Sequence, residues 1–324
     1  GTSISFGTAV IFESATTLYV SATFDSTNNK IVIAFRDASN SGHGTAIVGT
    51  VSGTSISFGS AAVFESASTN YVSVTYDSTN GKTVVSYQDG GNSDYGTAVV
   101  GTVSGTSISF GTAVVFAAAS TYYPSATFDS TNNKTVIAYR GTSNYGTAIV
   151  GTVSGTSISF GTAVVFAAAS TNETQTTFDS TNGKIIIAYK DNGTAEGRVI
   201  AGTVSGTSIS FDTAVVFNAG STTLSEEAIT YDSTNKKVVI VYRDSGNSNY
   251  GTAVVFTVGS TNNTSFVGIT DADIASGASG SVTIKGGIST ITGGTYTITV
   301  VNSGSGNKYA INGVEQAVLN LYEG

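Results

Sequence analysis

Cysteine, methionine and tryptophan are absent from this 324-residue sequence, and it holds one proline and one histidine. Without cysteine there is no disulfide, no thiolate nucleophile and no zinc site of the finger or ribbon type. One histidine excludes a His-rich metal centre and leaves His43 as the sole base for a serine triad. Charged residues make up 10% of the chain and the net charge is -8. Phosphate binding needs clustered Lys and Arg, so nucleic acid is not an expected partner. No apolar run approaches the roughly 20 residues of a membrane span, and no signal peptide is visible, so membrane insertion is not expected. A chain without an initiator methionine is expected to be a trimmed piece of something longer. The hydrophobic fraction of 40% is too high for disorder.

What is present is a repeat. The string GTSISF begins at Gly1, Gly53, Gly105, Gly155 and Gly206, at intervals of 50 to 52 residues. An aromatic followed by DSTN begins at Phe24, Tyr76, Phe128, Phe178 and Tyr231, and each Asp is followed five residues later by Lys30, Lys82, Lys134, Lys184 and Lys237. GTA with two apolar residues begins at Gly44, Gly96, Gly146 and Gly251, and the fourth copy reads Gly197-Arg198-Val199-Ile200.

Each unit reads as four short strands. In the first, strand A runs from Tyr19 to Asp25, strand B from Lys30 to Asp37, strand C from Gly44 to Val51 and strand D from Ile56 to Phe64. β-Branched and aromatic residues fill these runs, and Ser, Thr, Asn and Gly separate them. Strand B is apolar on both faces, as in a sheet packed between two others. Four strands in about 50 residues, repeated, is the pattern of a β-propeller blade. Five A-B-C sets are present, the last ends at Phe256 without a strand D, and a spare strand D stands at Gly1 to Phe12. The expected fold is therefore all-β, a five-bladed β-propeller over residues 1–258 closed by its N-terminal strand. An open stack, or a larger ring with blades missing, fits the same repeats. Residues 259–324 lose the repeat and read as small Gly-rich β modules, with strands expected at Ser281–Lys285, Thr295–Val301 and Lys308–Ile311, and the last module is expected to be incomplete.

The unit SGTSISFGTAVVF, ATFDSTNNKTVIAYR, GTAIVGTVSG resembles repeats in large structural proteins of marine tailed phages, cyanophages above all. Phe266 to Ile284 resembles a module that follows such repeats, and Tyr296 to Gly324 resembles another virion module. The resemblance covers nearly the whole chain. It implies a virion surface or tail-fibre component that works among other virion proteins and supplies no catalytic motif. The units distantly resemble sialidase blades too, but the tryptophan-bearing box of those enzymes is missing, which leaves a likeness of fold alone.

The copies differ at one end. The turns after strands A and C hardly change, while the D-to-A and B-to-C connections vary. Five residues before each DSTN aromatic stand Tyr19, Tyr71, Tyr123, Glu173 and Glu226, and one residue upstream stand Leu18, Asn70, Tyr122, Asn172 and Ser225. Just before strand C stand His43, Tyr95, Tyr145, Glu196 and Tyr250. Tyrosine offers a flat apolar ring and a hydroxyl, suited to stacking on sugars, and loops on a rigid scaffold commonly carry binding. Ordinary exposed loop positions under weak constraint would vary in the same way.

Catalysis has few carriers. The recurring Asp25, Asp77, Asp129, Asp179 and Asp232 sit at hairpin entrances, where Asp hydrogen-bonds its own turn. Glu173, Glu226 and Glu227 break the symmetry and are the only plausible pair of glycosidase acids. Asp271 and Asp273 are spaced like part of a calcium loop, but no full ligand set follows. The sequons at Asn172, Asn192, Asn262 and Asn263 matter only in a eukaryotic secretory pathway.

The expectation is a non-enzymatic virion appendage at the virion surface or outside the cell, needing no cofactor or metal, with a host-glycan face and a possible homo-oligomeric state. Tyr19, Tyr71, Tyr123, Tyr95, Tyr145 and Tyr250 would stack, and Asn70, Asn172, Glu173, Glu226 and His43 would supply polar contacts. An architectural spacer, a secreted lectin and a glycan hydrolase are the alternatives.

Overall fold

The computed structural model describes residues 3–224 and 228–259, and after them the backbone of five short strands between 268 and 315. The chain divides into two compact units, Gly1–Val258 and Gly259–Gly324. The first is all-β. Repeat 1 comprises β1 (Thr17–Asp25), β2 (Lys30–Asp37), β3 (His43–Ser52), β4 (Ser55–Phe58) and the start of β5 (Ala62–Asp77). Repeat 2 takes the end of β5, then β6 (Lys82–Asp89), β7 (Tyr95–Ser104), β8 (Ser107–Phe110) and β9 (Val114–Ser120). Repeat 3 has β10 (Tyr122–Asp129), β11 (Lys134–Arg140), β12 (Tyr145–Ser154), β13 (Ser157–Phe160) and the start of β14 (Val164–Asp179). Repeat 4 continues from β14 through β15 (Lys184–Asp191), β16 (Gly197–Ser205), β17 (Ser208–Phe211) and β18 (Val215–Asn218). Repeat 5 holds β19 (Thr222–Thr223), β20 (Ile229–Asp232), β21 (Lys237–Asp244) and β22 (Tyr250–Phe256). All pairings of the first unit are antiparallel, with the inner strand followed by two more moving outward and the third also pairing the start of the strand that leads into the next repeat.

The first hairpin of each repeat is fixed by its aspartate. Asp25 Oδ1 accepts the backbone N–H groups of Thr27 and Asn28 at 3.0 and 2.9 Å, and Oδ2 accepts Asn28 Nδ2 at 2.8 Å. The same three bonds recur at Asp77, Asp129, Asp179 and Asp232. These carboxylates therefore build turns, as the repeat pattern implies.

The outer strand departs from expectation. The single strand D from Ile56 to Phe64 is two pieces, β4 and the start of β5, both paired with β3. The break falls at Gly59, where a Cβ would lie 1.8 Å from the carbonyl oxygen of Thr106 in the next repeat. Gly111 and Gly161 meet Thr156 and Thr207 in the same way. The chain then runs on without interruption as the inner strand of the next repeat, so β5 and β14 each serve two repeats.

Repeats pack face to face. Val32, Ala34, Ala46 and Val48 of repeat 1 meet Val72, Val74, Val85, Tyr87 and Val99 of repeat 2 in one buried cluster. Equivalent clusters join repeats 2 and 3, 3 and 4, and 4 and 5. Each joint is pinned by one phenylalanine. The Phe64 ring covers Gly44, where a Cβ would lie 2.3 Å from it, and its centroid stands 5.2 Å from Tyr87 and 5.6 Å from Phe110 in repeat 2. Phe116, Phe166 and Phe217 repeat this on Gly96, Gly146 and Gly197.

The expected closure by the N-terminal strand is not observed. Residues 3–16 form no strand, and no sheet is closed among the described residues. Ile4 and Phe6 are 82% and 90% exposed, although Ile108 and Ile158, which match Ile4, are buried. The segment instead lies against repeat 1, with Gly7 at the Thr54 carbonyl and Phe12 5.3 Å from Phe35 and 5.9 Å from Phe58.

The second unit pairs Gly268–Thr270 with Val282–Ile284, and Ile298–Asn302 with Asn307–Ile311, which pairs in turn with Val314–Glu315. Three of these five strands overlap the expected segments, and Gly268–Thr270 and Val314–Glu315 were not expected.

Truncating Phe116, which is buried at a complete joint, is expected to cost about 3–5 kcal/mol. Phe12→Ala, at a half-made joint, should cost less than half as much. Urea denaturation of the two variants checks the order.

Candidate functional site

Pairing register places the variable positions at one end of the first unit. Thr17 faces Asp37, Asp37 faces His43, and His43 faces Ser68, just ahead of the next inner strand. Within that end the candidates fall into two rings. Tyr19, Tyr71, Tyr123, Glu173, Asn70 and Asn172 lie on inner strands, while His43, Tyr95, Tyr145, Glu196 and Tyr250 lie two strands outward. Two strand spacings are roughly 10 Å, so no compact group spans both rings.

The inner ring rests on a bulge that recurs. Leu18 faces Arg36 and Ser21 faces Ala34, so Tyr19 and Val20 together oppose Phe35. Tyr71 and Val72, Tyr123 and Pro124, and Glu173 and Thr174 oppose one residue each in the same way. The first residue of every such bulge is left-handed, with φ of 51° at Tyr19, 50° at Tyr71, 51° at Tyr123 and 54° at Glu173. Glycine is the usual occupant of this position, and an L-residue there costs roughly 1–2 kcal/mol. Pro124 fits the second position because a bulged residue need not donate to the ladder.

The bulge turns the rings toward one another. Tyr19 and Tyr71 have centroids 5.0 Å apart, and Tyr71 and Tyr123 4.7 Å apart. The Arg140 guanidinium lies 4.1 Å over the Tyr122 ring and 5.5 Å over Tyr123. The three inner tyrosines are thus brought together, packed on each other at tilted angles of 45° and 55°, and do not stand as separate sugar platforms. Burial, followed by the neighbouring Tyr123 and Tyr19, pushes the Tyr71 hydroxyl up to about 12.

Asn70 and Asn172 are engaged as well. Arg36 Nη1 donates to Asn70 Oδ1 at 2.5 Å, and Asn70 Nδ2 donates to Gln88 at 3.0 Å. Arg140 Nη1 donates to Asn172 Oδ1, and Asn172 Nδ2 donates to Asn192 at 3.0 Å. Each arginine thereby ties one repeat to the next.

Glu173 Oε2 accepts the Leu224 backbone N–H at 2.7 Å. Burial raises its pKa, opposed by that bond and by Lys190 and Arg243. Its expected partner, Glu226, lies outside the described residues, as do Ser225 and Glu227. The register corrects the alignment that selected them. Thr223 faces Arg243 as Asn70 faces Gln88, so Thr223 holds the position expected of Ser225. Repeat 5 is longer between β19 and β20, and counting back from the DSTN turn cannot detect this. Asp271 and Asp273 also lie outside the described residues, and no cluster of metal-ligating side chains occurs among those described.

Between the inner strands lies a cavity of about 410 Å³, which every repeat lines, among others through Ser21, Ser73, Ser125, Thr176 and Thr230. Ser21 Oγ accepts the Val74 N–H at 3.2 Å, Ser73 Oγ the Ala126 N–H at 3.1 Å, and Ser125 Oγ the Thr176 N–H at 3.0 Å. This staircase of hydroxyls links inner strands too far apart to pair directly. Sequence reading passed over these serines, whose fixed place two residues after the bulge tyrosine was their signal.

The outer ring is freer. Tyr250 is 62% exposed and Tyr145 37%, with Tyr95 and His43 half-buried beside them at the start of their strands. Glu196, the fourth member, is held by Arg198 Nη2 at 2.6 Å.

Raising the pH should ionise Tyr71 after the exposed tyrosines. Its folded pKa lies above the ordinary 10.0, so its contribution to stability is intact below pH 10 and is lost as pH rises from 10 to about 12. Burial also raises Tyr87 and Tyr139, so absorbance of tyrosinate during an alkaline titration should show one fewer late-titrating group in Tyr71→Phe than in the unmodified chain.

No family model matches the sequence, and no curated protein matches it. Solved structures do resemble the fold. TolB from Acinetobacter baumannii aligns with a TM-score of 0.46 at 11% identity over 75% of this chain and 52% of its own. An exo-beta-1,3-galactanase variant from Phanerochaete chrysosporium, solved with beta-1,3-galactotriose, gives 0.47 at 9% over 76% and 65%. A triple arginine-to-alanine mutant of AofleA from Arthrobotrys oligospora gives 0.50 at 11% over 74% and 69%. The chain spans about half the length of TolB and just under two thirds of the galactanase. The likeness to AofleA concerns the fold alone, which is all-β and propeller-like.

Proposed function

We propose that the chain is a non-enzymatic structural appendage of a virion, its repeats the blades of a propeller around the axial cavity, with a face that binds glycans of the host surface. The repeat strings that resemble phage structural proteins support the setting. The observation that carries the binding face is the exposure of Tyr145 and Tyr250 at the variable end, Tyr145 on a strand paired on both sides and Tyr250 on one paired with β21. A tyrosine there presents ring and hydroxyl without an ordering cost, because the sheet beneath is already formed. The inner tyrosines have a structural task, and Asn70, Asn172 and Glu173 have partners, so the outer ring is the better surface for a sugar. A purely architectural spacer is the second reading, favoured by the mutually packed Tyr19, Tyr71 and Tyr123.

The test is saturable binding of the purified chain to a panel of bacterial surface glycans and to intact marine host cells. Tyr145→Ala with Tyr250→Ala is expected to weaken binding about tenfold, close to 1.4 kcal/mol, with the fold unchanged by circular dichroism. No binding by the folded chain would establish the spacer. The chain should also release no reducing sugar from any bound glycan, and release that Glu173→Gln abolishes would make it a hydrolase.

A further inference from the structure

Every internal joint has two halves. Phe64 lies on Gly44 of its own repeat and against Tyr87 and Phe110 of the next, and the buried face of repeat 1 then packs on that of repeat 2. At the two ends of the array these halves stand apart. Phe12 makes the forward half, against Phe35 and Phe58. Gly251 is the counterpart of Gly44, and no described residue lies within 4 Å of a Cβ built on it. The sheet faces match this division. Val241 and Val255 are 50% and 58% exposed, while their equivalents Ala34 and Val48 are 0% exposed. On repeat 1, Val20 and Phe24 are exposed where Val72 and Tyr76 of repeat 2 are buried.

We propose that the open face of repeat 5 docks the first repeat of a second copy of this chain, head to tail, and takes the copy's Val10–Phe12 segment as its missing outer strand. Register follows from repeat 1, where Ala62 faces Ala46 and Val63 faces Thr45. Val10 then faces Ala253, Ile11 faces Thr252, and the Phe12 ring falls on Gly251. Only this half of the strand is taken. In repeats 1 to 4 a glycine (Gly49, Gly101, Gly151, Gly202) lets the following Ile and Phe cross the sheet, but repeat 5 has Phe256 there.

A second copy is preferred to the chain's own first repeat for a mechanical reason. With all four internal joints packed, the two end faces still meet solvent. Repeats 1 and 5 both line the axial cavity, yet their end faces do not meet, and closing them on each other would re-angle four dense interfaces, which dense packing resists. A second copy brings the same surface with no such distortion. The contact is heterologous and can propagate.

The chain has no cysteine, so an introduced pair reports without background. Full-length Ile11→Cys and Thr252→Cys proteins, mixed and oxidised, should give a crosslinked dimer, while each alone gives none. The double variant should give a ladder of dimers and higher species on a non-reducing gel. A fast-migrating monomer in the double variant would overturn the proposal by showing closure within one chain, and absence of any disulfide in folded protein would overturn it too. In sedimentation equilibrium the unmodified chain should gain mass with concentration, and Gly251→Phe, which fills the open position, should remain monomeric. Equal masses for the two proteins would count against the docking site.

Discussion

One contact sets the architecture of the repeat array: a phenylalanine ring laid over a glycine on one side and against two aromatic rings on the other. Where Phe64 covers Gly44, no side chain larger than hydrogen fits beneath it, so the outer strand can pass within van der Waals distance of its neighbour. The same ring reaches Tyr87 and Phe110 and so fixes the next sheet against this one. The valine and isoleucine faces then bury without gaps, and much of the first unit's hydrophobic surface leaves water through such joints. The inner tyrosines, the serine staircase and the arginine bridges all presuppose this spacing between sheets.

Local features of the fold were legible in the sequence and distant ones were not. The Asp-Ser-Thr-Asn hairpins could be read because every bond they need lies within three residues of the aspartate. The two-face apolar strand B announced sheets packed on both sides, and Val84 and Val85, on opposite faces of β6, are both buried accordingly. The break in strand D was invisible because its cause, the carbonyl of Thr106, lies 47 residues from Gly59 along the chain. Closure was inferred from the supply of a spare strand. Whether that strand pairs depends on the angle between sheets, which no local pattern encodes.

The candidate site shows the same division. Variation among copies picked out one end of the unit, and the register puts those residues there. It could not tell inner from outer ring, because both lie at that end. Tyr19, Tyr71 and Tyr123 looked like free platforms but are consumed by one another, held by a left-handed bulge whose one sequence trace is Pro124 in mid-strand. In repeat 5 the extra length before Ile229 moved the equivalence, so Thr223 was missed.

The sameness of the joints has a consequence for how such an array can vary. Gly44, Phe64 and Thr106 are matched by Gly96, Phe116 and Thr156, so either neighbour of any repeat offers identical partners. A deleted stretch of about 52 residues, such as 53–104, would restore the glycine, phenylalanine and threonine contacts at the new joint, while Arg36 and Thr27 would lose Asn70 and Tyr76 as partners. With the two ends unpaired, no closing contact fixes the total. The number of repeats is then a property of the gene, open to slippage and recombination, and the length of the array can drift between lineages while each sheet keeps its form.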